Sequence, residues 1–339
     1  MKRLNLKYPL IVAPMAGGPS SPELVVTSCE AGALGSIGAA YSNPQAIEEF
    51  VQKVRARTKK PIAINLFIPG REAVVSEEQL SKAIQATQTF RTQFSLPTPK
   101  LAPPYEEDFD AQFETVLKLK PEVFSFVFGV LSADYVKAAK KEGILLIGTA
   151  TTVDEAQTLQ DSGVDAITLQ GVEAGGHRGV FDPDREDPNV GISELLKQSR
   201  SKIQIPLIAA GGIMTAQDVK SILSQGADAV QIGTAFLACQ EAGTSQPYRM
   251  ALGAERETKL TRAFSGRLAR GIINSFMKEL DQNPTAILPF QAQNKFTRDI
   301  RAASAKENSA ECLSLWAGTG DGELWTGSAV DLIESLFQT

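Results

Sequence analysis

Eight short apolar runs recur along this chain, separated by segments of helical pattern, and they restrict its fold more than any other feature. The runs are Leu10–Ala13, Leu34–Ile37, Ile62–Asn65, Val123–Phe128, Ile144–Ile147, Ala166–Gln170, Leu207–Ala210 and Ala229–Ile232. Apolar runs of strand length read as strands buried on both faces, as in a parallel sheet. Helix-start signals stand between them. Ser21-Pro22 and Asn43-Pro44 pair a capping side chain with proline at the first helical position, and Thr152 and Thr215 cap two later helices. Gly143 and Gly226 stop helical stretches. Strands joined through helices pair in parallel with right-handed crossovers, and eight such units close most simply into a (β/α)8 barrel. An open doubly wound sheet is the alternative. It would usually carry G-x-G-x-x-G after its first strand, a spacing that Ala16-Gly17-Gly18 lacks.

Two segments break the alternation. Residues 69–105 hold a helical stretch followed by Leu96-Pro97-Thr98-Pro99 and Pro103-Pro104, which reads as an irregular insertion. Residues 245–310 follow the last strand with helical patterns and read as a mainly helical lobe over the strand ends. The expected organisation is a barrel over residues 1–244, that lobe, and a segment over 311–339 returning to the barrel. Val330, Ile333 and Phe337 in this last segment are spaced like one face of a helix.

Several function classes are disfavoured. Net charge is −5 with the basic residues scattered, whereas a nucleic-acid site shows a basic stripe. The apolar runs are too short to span a membrane. Met1–Asn5 has neither a long apolar stretch nor a small-residue cleavage site, so it does not read as a signal peptide. Cys29, Cys239 and Cys312 are odd in number and far apart, which suggests reduced thiols in a cytoplasmic protein. With a single histidine, no metal-ligand spacing is present. The oligomeric state is not readable.

In a barrel the C-terminal strand ends form the active face, and most of the distinctive motifs fall there. The one histidine, His177, lies in Gln170-Gly171-Val172-Glu173-Ala174-Gly175-Gly176-His177-Arg178-Gly179, directly after the sixth run. Histidine changes charge near neutral pH, and the glycines allow backbone to approach a ligand, so His177 is the candidate acid/base group. Ala210-Gly211-Gly212-Ile213 and Gln231-Ile232-Gly233-Thr234 follow the seventh and eighth runs. Backbone N–H groups there, with the Thr234 hydroxyl, suit a phosphate, the alternative being tight turns only. The phosphate can belong to a flavin, a sugar phosphate or another ligand. Asn65 and Gln170 offer amides to a ring edge or to neighbouring backbone. Met15 suits a flat ring or the core. Phe126 and Phe128 read as packing, as does Cys239. Arg178 can hold an anion or pair with a carboxylate such as Glu173.

These motifs together resemble the nitronate monooxygenase family, formerly called 2-nitropropane dioxygenases, and specifically its bacterial-type class. The similarity covers Ala13–Gly18, Asn65–Phe67, Ser125–Gly129, Gly171–Gly179, Ala209–Ile213, Gln231–Phe236, Thr261–Arg267 and Leu315–Gly318. The resemblance implies a barrel holding FMN without a covalent link, with His177 as the active-site histidine. It implies flavin contacts at Asn65, Gln170, Gly175, Gly212 and Gln231–Thr234. Met15, Ala16, Gly176 and Gly211 complete the candidate cofactor-binding set. The family often continues Trp-Ala-Gly with Gln where this chain has Thr319, and some members have an aromatic residue in place of Cys312. Both departures bear on pocket shape.

The implied reaction is oxidation of a small alkyl nitronate with O2, through electron transfer to FMN, to a carbonyl product and nitrite. His177 then acts as imidazolium, as a hydrogen-bond donor, or as base towards a neutral nitroalkane. Two other classes fit the same barrel. One is an FMN-dependent NAD(P)H reductase acting on an enoyl thioester or a quinone. The other is a flavin-free enzyme of a phosphorylated metabolite.

Overall fold

In the computed structural model, which describes residues 2–254 and 256–338, all eight apolar runs contribute strands to one parallel sheet. The strands are β1 (Leu10–Val12), β2 (Gly35–Gly38), β3 (Ile62–Phe67), β4 (Val123–Val127), β5 (Leu145–Ala150), β6 (Ala166–Gln170), β8 (Leu207–Ala210) and β9 (Ala229–Ile232). Their order is β1-β9-β8-β6-β5-β4-β3-β2. A bridge between Ile11 and Leu34 joins the outer strands, with Leu34 N–H donating to Leu10 O at 2.9 Å. The sheet is thereby a barrel, and the open-sheet alternative is set aside.

Strand alternation divides the apolar residues between two faces. Ile11, Ala63, Ile147 and Ile208 form a small cluster inside the barrel, closed below by Leu4. Leu10, Val12, Ile62, Ile64 and Leu207 belong to the larger core between strands and helices. The expected caps are present. Ser21 accepts from Leu24 N, Asn43 from Ala46 N, Thr152 from Glu155 N and Thr215 from Asp218 N. The final helix, Ala329–Leu336, puts Leu332 and Ile333 into the same core.

The lobe after β9 is not helical throughout. It contains a hairpin, β10 (Thr258–Thr261) and β11 (Ala269–Ile272), and β11 pairs antiparallel with β7 (Gly176–His177). Gly176 and His177 thus form a short strand. Its glycines hide it from period-two reading, because they supply no apolar alternation. A second core joins the segments outside the barrel alternation. Phe90 and Phe94 from the 69–105 insertion pack with Phe264, Phe276, Ile300 and Cys312. Buried Arg91 of the insertion pairs with Asp299 at 2.8 Å.

Candidate active site

One cavity of about 480 Å3 opens at the C-terminal strand ends. That volume suits a small-molecule or cofactor site. Met15, Ala16, Asn65, Gln170, Gly175, Gly176, His177, Gly211, Gly212, Gln231, Ile232, Gly233 and Thr234 all line it. Residues from β1, β3, β6, β8 and β9 meet there because a closed parallel barrel brings every strand's C-terminal end to one rim.

The β8 and β9 ends make a glycine-rich wall. Gly212 has φ +71°, which a side chain rarely adopts, and a Cβ there would lie 3.1 Å from Glu173 Cβ. Among the described residues, the amide N–H groups of Gly212, Gly233 and Thr234 have no hydrogen-bond acceptor. Thr234 Oγ1 accepts from Gly318 N at 3.0 Å, which leaves its proton for a ligand. Unused backbone donors beside bare backbone are the fit that a phosphate requires.

His177 lines the same cavity. Its ring is half-buried, facing the cavity, and is ringed by Trp316, Phe290, Phe128 and Phe67 at centroid distances of 5.5, 5.8, 5.9 and 6.0 Å. Nε2 lies 2.8 Å from Ser265 Oγ. Ser265 Oγ also lies 3.1 Å from Arg267 O and accepts from Arg267 N at 3.3 Å. If the single hydroxyl proton goes to Arg267 O, Nε2 carries the imidazole hydrogen and Nδ1 is the basic atom. If it turns to His177, the roles reverse. Burial first, then the charges of Arg267 and Arg301, push the His177 pKa down to about 3. Enclosure and two cations oppose a further charge, which favours the neutral ring over the imidazolium, and among the described residues no carboxylate pairs with it.

The aromatic wall is held under strain. Phe128 has φ +80°, a genuine outlier for a bulky residue. The Arg267 guanidinium lies 3.8 Å from its ring centroid, and Phe67 packs at 4.7 Å. Arg267 is buried, and burial, then Arg262, lowers its pKa to about 10, so it stays charged.

Gln170 and Arg178 serve the loop more than the cavity. Gln170 Nε2 donates to His177 O at 2.9 Å, and Oε1 accepts from Gly179 N and Arg178 Nη1. Only a second amide hydrogen of Gln170 is left for a ligand. Arg178 is buried and pairs with Asp187 at 2.6 Å, not with Glu173, whose carboxylate accepts from Ile192 N. Its role as an anion holder is corrected on that ground. Asn65 donates to Ser125 Oγ at 3.0 Å, leaving its carbonyl oxygen uncommitted. Cys312 lies in the second core and Thr319 is exposed, so neither lines the cavity. Sequence reading assigned no role to Ser265, Arg267, Trp316, Phe290, Tyr41 or Arg301. The first three lie within quoted motifs; the others carry no local signal. Among the described residues no group of three or more metal-ligating side chains gathers, and no helix is long and apolar enough to cross a membrane.

Comparison with known proteins accords with this geometry. The profile of the nitronate monooxygenase family matches residues 1–339. A probable nitronate monooxygenase of Staphylococcus aureus (strain MSSA476) is 39% identical over 336 residues, 98% of this chain and 94% of that protein. One from Bacillus subtilis (strain 168) is 37% identical over 329 residues, 94% of this chain and 92% of that protein. Among solved structures, nitroalkane oxidase from Streptomyces ansochromogenes superposes with a TM-score of 0.91 at 34% identity, covering 98% of this chain and 95% of that one. FabK from Thermotoga maritima shares the fold, with a TM-score of 0.73 at 22% identity over 99% of this chain and 93% of that one. The chain belongs to the nitronate monooxygenase family.

Proposed function

We propose that the protein binds FMN in this cavity and oxidises alkyl nitronates with O2 to a carbonyl product and nitrite. The observation that carries the reading is the cavity itself: in a chain of this family, the sole histidine and a wall of unused backbone donors open on one space. Bound FMN supplies the electron-accepting chemistry that no side chain offers. Gly211, Gly212, Gly233 and Thr234 hold its phosphate. Asn65, Gln231 and the free Gln170 hydrogen meet polar ring atoms, while Met15, Ala16, Gly175, Gly176 and Ile232 supply close contact. His177, neutral and fixed by Ser265, meets the substrate as hydrogen-bond donor or as base. The aromatic ring of neighbours excludes water and strengthens polar contacts inside. Three buried free thiols suit a reducing compartment such as the cytoplasm.

A second reading, use of neutral nitroalkanes, is favoured by one observation. A neutral imidazole can take a proton from carbon, and the Streptomyces relative is a nitroalkane oxidase. Purified protein should be yellow and release FMN on denaturation. Anaerobic ethyl nitronate should bleach the flavin, and in air should yield nitrite. A flavin-reconstituted protein that ethyl nitronate leaves unchanged, but NADH or NADPH bleaches, would replace this reading with the reductase.

A further inference from the structure

Arg301, on the helix Ala292–Lys306, lines the same cavity as His177. Its Nη2 donates to Asn294 O and Oδ1, both at 2.7 Å, which fixes the side chain along its own helix. Nε is buried with no acceptor, and Nη1, open to the cavity, meets no acceptor among the described residues. Among the described residues no carboxylate forms an ion pair with it: Asp299, two positions earlier, is paired with Arg91. Tyr41 lines the cavity too, and among the described residues its hydroxyl makes no hydrogen bond. The Tyr41 ring is held edge-on against Phe67, itself a neighbour of His177.

A guanidinium partly withdrawn from water, with unused donors and no carboxylate paired to it, is costly to keep. The cost is recovered when an anion enters and accepts those donors. We propose that Arg301 and Tyr41 form the anion-recognition end of the substrate cavity, holding the two oxygens of the nitronate and favouring that anion over the neutral nitroalkane. The inference deepens the nitronate reading and rests on it. Burial holds the Tyr41 pKa up to about 12, so its hydroxyl remains a donor over the working pH range. The Arg301 charge also acts at His177, where it disfavours protonation and thereby keeps the ring free for proton or hydrogen-bond exchange with substrate.

Two measurements test this on flavin-loaded wild type, Arg301→Gln, Arg301→Lys and Tyr41→Phe. The first is calorimetric titration with nitrate, a planar oxyanion; the second is KM for ethyl nitronate and for nitroethane. Arg301→Gln is expected to keep flavin, weaken nitrate about 10- to 100-fold and raise the ethyl nitronate KM by a similar factor, the usual scale for a hydrogen bond to a charged group. The nitroethane KM should move less than about 3-fold, Arg301→Lys should recover part of the loss, and Tyr41→Phe should cost about 3- to 10-fold. Unchanged nitrate affinity and unchanged nitronate KM in folded Arg301→Gln would overturn the proposal. Should that variant not fold, wild-type affinities in both Arg301→Lys and Tyr41→Phe would overturn it equally. If wild type fails to oxidise nitronate yet binds nitrate through Arg301, the proposed reaction falls while the anion site stands.

Discussion

The two ends of the cavity solve different recognition problems with different materials. At the β8 and β9 ends, Gly211, Gly212 and Gly233 offer backbone N–H groups, and among the described residues no cationic side chain belongs to that wall. At the other end, His177 sits within a ring of aromatic side chains, with Arg267 stacked on Phe128 and Arg301 on the cavity wall. Backbone donors are fixed by the barrel and suit a ligand that stays. Side-chain donors such as His177 and Arg301 can reorient about their own bonds and suit a ligand that enters and leaves. The contrast teaches that removing a side chain should separate turnover from cofactor binding, and filling a glycine should do the reverse.

The largest expected effect is at the aromatic end. His177→Asn should retain FMN and lose on the order of 10²-fold or more in kcat/KM with ethyl nitronate. Steady-state assays on preformed nitronate and on nitroethane sharpen the result. A loss confined to nitroethane makes His177 a base only, and unchanged turnover of both removes it from the chemistry. At the opposite end, Gly233→Val should weaken FMN about 10- to 100-fold, the scale of overpacking a filled site. Gly233 has φ −115°, outside the left-handed region, and its Cβ would make ordinary contact with Ala13. Gly212→Val is the poorer variant, since its φ of +71° adds strain unrelated to ligand. Equilibrium FMN titration beside apoprotein melting checks the point; equal losses in both would make the glycine a folding residue.

Ser265→Ala should act between these extremes. It removes the 2.8 Å contact to His177 Nε2 and should lower kcat/KM about 3- to 10-fold, with FMN affinity unchanged. A fall in FMN affinity of the same size would blur the division between the two ends. The last prediction concerns pH. His177 has a folded pKa of about 3 against an ordinary 6.5. Below 6.5 the unfolded chain takes up a proton that the folded one refuses, so this group makes stability fall as pH drops from 6.5 towards 3 and contributes nothing above 6.5. The imidazole resonances, unambiguous in a chain with one histidine, should not titrate between pH 8 and 5. The melting temperature of His177→Asn should fall less over pH 7 to 5 than that of wild type. An imidazole that titrates near 6.5 would show the aromatic end to be open to water.

The glycine end was legible in the sequence because its parts are local. Gly211-Gly212 and Gly233-Thr234 each follow an apolar run directly, and a barrel sends all strand ends to one rim. His177 was legible by its uniqueness and its glycines. The aromatic end was not, because Phe67, Phe128, Phe290 and Trp316 are scattered along the chain and read singly as packing. Arg178 shows the same limit from the other side: it reads as an anion holder beside His177, yet its burial and its pair, Asp187, depend on how the following loop returns. By itself, the sequence determined the eight-unit barrel, the helix caps and the glycine wall, since hydrophobic period, capping and bare backbone act over a few residues. Only the tertiary structure decided that His177 is enclosed beside two cations, that Ser265 meets its ring, and that Arg301 faces the cavity with no ion pair among the described residues. Desolvation and charge pairing depend on distances between segments far apart in the chain, and no local pattern encodes them.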